Sequence, residues 1–363
     1  MMFINSLVPT IKSYAYTKIR PMFRAAPPLE VSLPGGMVHQ PIAAICDNMT
    51  WRDLSHGHAT ISLTPRRWRD AFAKEAAHGI GFLFCEATWS GTTGACWRGK
   101  VYKDGRVSYE NRSDLIAILE KCKTEKIPTV FWAKEDPVYF QDTTYNFTDT
   151  ALKFDYVFTT AKECIPKYKS LGHRHVYLLP FGFSPETYYP PSDLEAPREH
   201  ASVFAGSWFP DHPARCNDLE MIFDMVLSAG IPLRIYDRHR AKGHSRKPFP
   251  ARYQPFIHDG VSIEALGDIY RSVEYAINVN TVSTSETMFA RRVYEAMACG
   301  CIVISNESIG MRQQFGNNVW FVGNDFEHSR ISCIRKENIN TVFSRHTWEQ
   351  RMEYLRNLIG ASQ

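Results

Sequence analysis

From residue 41 onward, short apolar runs alternate with amphipathic stretches. PIAAIC, GFLFC, PTVFW, YVFTT and VYLLPF are apolar almost throughout, as strands buried on both faces of a parallel sheet must be. Between them RRWRDAFAKEAAHG and RSDLIAILEKCKTEK carry apolar residues at helical spacing. This alternation predicts an α/β fold, a parallel sheet covered by helices on both faces. The Pro-rich polar stretch from Ser184 to His200 reads as a linker. Beyond it SVFAG, a helix from about Asp218, PLRIYD, SIEALGDIYRS, YAINVN, CIVIS and VWFV repeat the grammar, and HTWEQRMEYLRNLIG ends it as an amphipathic helix. The expected organisation is an arm over 1–40, a Rossmann-like domain over 41–183, the linker over 184–200, a second Rossmann-like domain over 201–340, and a helix over 341–363 that returns to the first domain in one reading. Two parallel sheets then face across a cleft, and open α/β sheets bind ligands at their carboxyl edges.

A length of 363 residues suits two cores. The net charge of +4 is mild: it favours a phosphorylated ligand over the polyanion of a nucleic-acid binder, so no nucleic-acid partner is expected. No apolar run reaches the ~18 residues that would span a bilayer, and no secretory signal is recognised. Nine cysteines without a C-x-x-C pair read as reduced thiols of a cytoplasmic protein. Residues 1–24 mix apolar positions with Lys12, Lys18, Arg20 and Arg24, so a peripheral contact with an anionic membrane stands beside a packed arm or a disordered tail.

Candidate chemistry gathers where strands should end. Asp47 follows IAAIC, Glu86 follows GFLFC, and Lys134, Glu135 and Asp136 follow TVFW. Three carboxylate positions at successive strand ends, Asp47, Glu86 and Asp136, are more than random surface charge would give, and loops on a rigid scaffold are where chemistry usually sits. The competing reading is that they cap the helices that follow. Trp89, Trp97 and Trp132 lie close by in sequence; they offer aromatic faces to a sugar acceptor or simply fill the core.

In the second half, FAGSWF puts Gly206 and Ser207 at a strand end, where small residues let backbone amides approach an oxygen-rich ligand. Asn278 and Asn280 end another strand. The Ser/Thr-rich loop after them leads into FARRVYEAMACG, a helix expected to begin near Thr284 behind a Ser283/Glu286 capping box. Phe289, Val293, Ala296 and Met297 then form its buried stripe. Arg291 and Glu295 fall on the opposite side with Arg292 at the edge. They make either an exposed ion pair or, with the loop amides, a diphosphate and ribose site. Neither a G-x-G-x-x-G nor a G-x-x-x-x-G-K-[ST] is present, which disfavours dinucleotide redox and P-loop chemistry. Asp-x-Asp is absent and the His56/His58 and His173/His175 pairs have no further ligands at a sensible spacing, so neither metal nor resident cofactor is expected.

FARRVYEAMACGCIVIS resembles the donor-site helix of GT-B glycosyltransferases. IAAICDNMTW, FCEATWSGTTGACW, PTVFWAKEDPVYF, FDYVFTT and HTWEQR together resemble the CgeB-like, spore-maturation type of these enzymes. The resemblance covers about residues 41–358. It implies a nucleotide sugar, with UDP-sugar favoured, on the second domain, Glu295 at the ribose and Arg292 near the phosphates. It puts a glycan, lipid or other hydroxyl acceptor on the first, with any catalytic base among Asp47, Glu86 and Asp136; if the reaction inverts, Asp136 is the first choice and Glu86 the second. Thr287 stands where many retaining members carry a glutamate, eight residues before Glu295, which leaves stereochemistry open. The alternatives are a non-catalytic nucleotide- or glycan-binding protein of this fold and a nucleotide-sugar epimerase.

Overall fold

A computed structural model describes residues 31–32, 40–75, 79–240 and 248–361. The membrane contact considered for residues 1–24 falls outside them. The chain divides into two compact units, the first of residues 1–160, 164–179 and 359–363 and the second of 161–163 and 180–358. No described helix is long and apolar enough to cross a membrane. All nine cysteines are free thiols.

In the first unit, strands β1 (Val31–Ser32), β2 (Ile42–Ile45), β3 (Thr60–Ser62), β4 (Phe82–Glu86), β6 (Thr129–Ala133), β8 (Tyr156–Thr159) and β9 (Val176–Leu178) form one sheet. Its order is β1-β3-β2-β4-β6-β8-β9, parallel except for the antiparallel edge pair β1/β3. Strands β2, β4, β6 and β8 are buried at every position, which is why they read as continuous apolar runs. Helices α1 (Asn48–Gly57), α2 (Trp68–Glu75) and α3 (Ser113–Glu125) connect them. A short antiparallel pair, β5 (Lys103–Asp104) with β7 (Tyr145–Asn146), stands apart. Because β2 has β3 on one side and β4 on the other, its carboxyl end is the point where strand order reverses, and Asp47 and Glu86 sit there.

The second unit holds a six-stranded, all-parallel sheet in the order β12-β11-β10-β13-β14-β15. The strands are β10 (Glu199–Gly206), β11 (Leu233–Asp237), β12 (Ile257–Asp259), β13 (Val273–Asn278), β14 (Ile302–Ser305) and β15 (Trp320–Phe321). Side chains alternate between its faces: Val203, Ala276 and Val303 pack with Val293 and Met297 on one side, while Phe204, Ile277, Ile302 and Ile304 pack with Leu219, Ile222 and Phe223 on the other. The order reverses at β10, so the carboxyl ends of β10 and β13 flank the kind of edge where open α/β sheets bind ligands. The helix expected from about Asp218 begins at Pro213, a residue whose missing N–H costs nothing in a first turn. The linker expected over 184–200 already belongs to the second unit; Ser184 and Tyr188 are buried and Tyr188 joins the core.

Candidate functional site

At the end of β10, two arginines bond Ser207 and a third packs against the same strand end. Arg238 Nε donates to the Ser207 hydroxyl at 2.9 Å, and Arg215 Nη1 donates to the Ser207 carbonyl at 3.4 Å. The Arg292 guanidinium lies 5.0 Å over the Phe204 ring. A Cβ placed on Gly206 would stand 3.3 Å from Arg292 Nη2 and 2.6 Å from the Phe204 ring, so glycine is what lets the guanidinium close on the strand end. None of the three has an ion pair among the described residues, and Arg292 Nη1 is buried without a partner. Burial, then repulsion by Arg292 and Arg238, lowers the pKa of Arg215 to about 10. Arg238 is lowered as well, by burial and then by Arg292. Crowded, partly desolvated cations of this kind are poised for an anion.

The sequence reading named Arg292 and Ser207 as candidates and did not name Arg215 or Arg238. A signal existed for the second: β10 and β11 pair in parallel with Gly206 opposite Asp237, so the next residues along, Ser207 and Arg238, must meet. Arg215 enters from helix α4 (Pro213–Ser228).

Asn278 and Asn280 are both buried. Asn278 Nδ2 donates to Asn280 Oδ1 at 3.1 Å and to Ser305 Oγ at 3.0 Å, while its own Oδ1 is buried without a partner. Asn280 Oδ1 accepts from Ala290 N at 3.0 Å, and Asn280 N donates to Asn306 Oδ1 at 2.8 Å. The pair ties the strand end to the 281–290 loop.

That loop overturns the helix start read from sequence. The helix is α5, Arg292–Ala298, because upstream backbone groups are bonded elsewhere. The Ser283 and Ser285 carbonyls accept from Ile309 N and Gly310 N. The Ser285 hydroxyl accepts from Met288 N at 3.0 Å and donates to Glu163 Oε2 at 3.1 Å. Glu286, the expected capping residue, pairs with Lys162 at 2.8 Å. The outward face expected for Arg291 and Glu295 is also corrected, since every residue from Val293 to Ala298 is buried. Glu295 is 5% exposed and lies 2.6 Å from Arg291 Nε. Positive charge at this edge therefore comes from guanidinium groups and not from a long helix terminus.

The carboxyl edge of the first unit is built the opposite way. Lys134 Nζ bridges Asp47 Oδ2 at 3.0 Å and Glu86 Oε1 at 2.9 Å. Asp47 also accepts from the amides of Trp89, Ser90 and Gly91 at 3.2, 2.9 and 2.8 Å and from Thr88 Oγ1 at 2.5 Å. Burial alone would raise its pKa, but Lys134 and these donors hold it at about 2. Glu86, fully buried, accepts from Asp47 N at 2.5 Å and Thr50 Oγ1 at 2.6 Å. Burial raises its pKa against the pull of Lys134. Burial also works against the Lys134 ammonium, but Glu86 and Asp47 outweigh it and raise its pKa.

Asp136 is not gathered into this network. It is 4% exposed, with Thr159 Oγ1 donating to Oδ2 at 2.7 Å and the Tyr168 hydroxyl 3.5 Å from Oδ1. Burial lifts its pKa from 3.8 to about 7. Two tryptophans expected on the acceptor side are corrected: Trp97 and Trp132 are at most 1% exposed, and their indoles donate to Leu63 and Leu179 carbonyls. They are core, with no face for a sugar. Trp89 differs. It is partly exposed and packs against Tyr139, Tyr145, Phe147 and Tyr102 with ring centroids 5.1, 5.2, 5.2 and 5.8 Å away. No cluster of His, Cys, Asp and Glu suited to a metal ion occurs among the described residues.

Residues 238–357 match a family described as glycosyl transferase-like. No curated protein matches the chain in sequence. Among solved structures, an alpha-glucosyltransferase in complex with UDP and a 13-mer DNA containing a HMU base superposes with a TM-score of 0.60 at 10% identity, covering 88% of this chain and 99% of that one. An alpha-glucosyltransferase in complex with UDP-glucose and DNA containing an abasic site gives 0.54 at 11%, over 88% and 98%. An alpha-glucosyltransferase in complex with UDP alone gives 0.52 at 11%, over 89% and 100%. The protein thus has the GT-B glycosyltransferase fold, with its glycosyl transferase-like segment in the second unit.

Proposed function

We propose that the protein is a glycosyltransferase that moves a sugar from a nucleoside-diphosphate sugar to a hydroxyl acceptor without a metal, and that it belongs to the CgeB-like group its motifs resemble. The observation that carries this reading is the set of Arg215, Arg238 and Arg292 at the end of β10, cationic and without ion pairs among the described residues, at the edge where an open α/β sheet binds ligands. A diphosphate relieves their mutual repulsion. In the transition state its charge rises as the anomeric bond breaks, and preorganised guanidinium donors stabilise that charge more than the ground state. They supply what a divalent ion supplies in other transferases.

Glu295, buried against Arg291 beside this set, is suited to accept the ribose hydroxyls, and the Asn278–Asn280 lattice holds the loop over the site. The similar solved structures hold UDP or UDP-glucose, which favours uridine as the base. The first unit supplies the acceptor side. There Asp47, Glu86 and Asp136 are each committed to internal partners, so they position the edge and shape its loops.

The test incubates the folded protein with UDP-, GDP- and dTDP-sugars and follows thermal shift and nucleotide release, alone and with glycan, lipid-linked and hydroxymethyl-pyrimidine DNA acceptors. The last is included because a structural neighbour is complexed with such DNA. A shift with UDP and UDP release that an acceptor accelerates is the expected result. Absence of any shift with all donors removes the donor-site reading.

A further inference from the structure

The arginines at the end of β10 are held in ways that leave donors over. A guanidinium carries several N–H groups, and Arg215 and Arg238 each give one to Ser207. Arg292 Nη1 is buried without a partner. Aromatic faces hold two of the three: Arg292 lies 5.0 Å over the Phe204 ring and Arg215 lies 5.0 Å over the Phe209 ring. Stacking of this kind fixes the guanidinium and uses no N–H group. Arg238 is backed by Gly260, where a Cβ would stand 2.5 Å from the Arg238 Cα, so the loop after β12 packs directly on its backbone. Asp237, beside Arg238 in sequence, is buried and accepts from the His239 amide at 2.9 Å. It makes no ion pair with the three cations.

Such a set reads the charge and oxygens of a diphosphate rather than the groups esterified to it. In a nucleotide sugar both ends of the diphosphate are esterified. Inorganic pyrophosphate has the same two phosphorus centres and bridging oxygen without either ester, and it carries more negative charge. The crowded guanidinium groups gain more from the smaller, more highly charged ligand.

We propose that inorganic pyrophosphate, uncomplexed by metal, occupies this cation set in competition with the nucleotide and so regulates donor binding. The proposal rests on the nucleotide-site reading above. Magnesium covers the oxygens that the guanidinium groups need and brings a further cation toward three, so the free anion is the ligand. The competition has a chemical source. When a nucleoside-diphosphate sugar is made from a sugar phosphate and a nucleoside triphosphate, a phosphate oxygen of the sugar bonds to the α-phosphorus. The α–β P–O bond breaks and pyrophosphate leaves with its electron pair. The class of reaction that supplies the donor thus supplies its competitor, and the site clears as pyrophosphate is hydrolysed.

The test is calorimetric, on the full wild-type chain with divalent metal chelated. Pyrophosphate should bind saturably, and prior saturation with UDP should abolish that binding. Orthophosphate reaches fewer guanidinium groups and should bind ~10–100-fold more weakly. Excess magnesium should weaken pyrophosphate binding. Arg292→Met and Arg238→Met should each lower the affinities for pyrophosphate and UDP by the same factor, ~10–100-fold. The proposal is overturned if pyrophosphate does not bind a protein that binds UDP, or if the two bind together. It is equally overturned by orthophosphate binding as tightly, by magnesium tightening the complex, or by variants that lose UDP and keep pyrophosphate. Each of these results leaves the nucleotide site standing. Failure of UDP to bind the wild type is instead the failure of the nucleotide-site reading, and the competition falls with it.

Discussion

The two sheet edges share a topology and differ in their charge bookkeeping. At the end of β2 and β4, one ammonium answers two carboxylates and every oxygen of Asp47 and Glu86 has a donor. At the end of β10, two guanidinium groups bond one serine, a third lies against the same strand end, and among the described residues no carboxylate pairs with them. A charged network that satisfies itself holds loops in place. One left in excess stores repulsion that a ligand of opposite sign releases. On the proposed reading the difference separates scaffold from binding site, although both consist of ionisable residues at strand ends.

Breaking the balance on the first side should give the largest effect. Lys134→Met leaves two carboxylates at a largely buried site without their cation, and the expected loss is ~3–5 kcal/mol of stability, seen as a large fall in Tm and in the midpoint of urea unfolding. Unchanged stability would mean that Asp47 and Glu86 do not depend on it.

Asp136 sharpens the same contrast through pH. Its folded pKa, about 7, lies above the ordinary 3.8. The folded protein therefore binds the extra proton between these values, and stability should fall as pH rises from about 4 to about 7 and level off above. The full span is on the order of 4 kcal/mol by the standard conversion. Asp136→Asn should flatten that slope in pH-dependent melts; an identical slope contradicts the enclosed carboxyl.

On the other side the sign reverses. Replacing Arg238 or Arg292 by Met should weaken UDP by ~10–100-fold, as loss of a hydrogen bond to a charged group costs ~1.5–3 kcal/mol. The unliganded protein should melt at an equal or higher temperature, because a repelling cation is gone. A smaller effect is expected of Gly206→Ala, which must displace the Phe204 ring and crowd Arg292. UDP affinity should fall several-fold in calorimetry with the fold unchanged by circular dichroism.

The α/β grammar was legible because parallel strands covered on both faces leave unbroken apolar runs, as in IAAI, FLFCE and IVIS. Three-residue strands such as Thr60–Ser62 and Ile257–Asp259 carry too little pattern to stand out. The early helix start at Thr284 failed for a non-local reason: Asn280, Glu163, Ile309 and Gly310 claim the backbone and side chains that the helix and its cap needed. Glu295 and Arg292 were named as candidates from their helical context. Arg215 and Arg238 were not, since HPARC and YDRHR look like polar turns until strand order brings them to Ser207. Likewise Trp89 and Trp97 stand in one loop, and packing alone leaves the first accessible and buries the second.

The most direct measurement is a calorimetric titration of UDP into the wild-type protein and into a variant carrying Arg215→Met, Arg238→Met and Arg292→Met together. Saturable binding by the wild type, abolished in a variant that melts no lower, is the predicted result. Equal affinity in both proteins would contradict a guanidinium-built diphosphate site around Ser207.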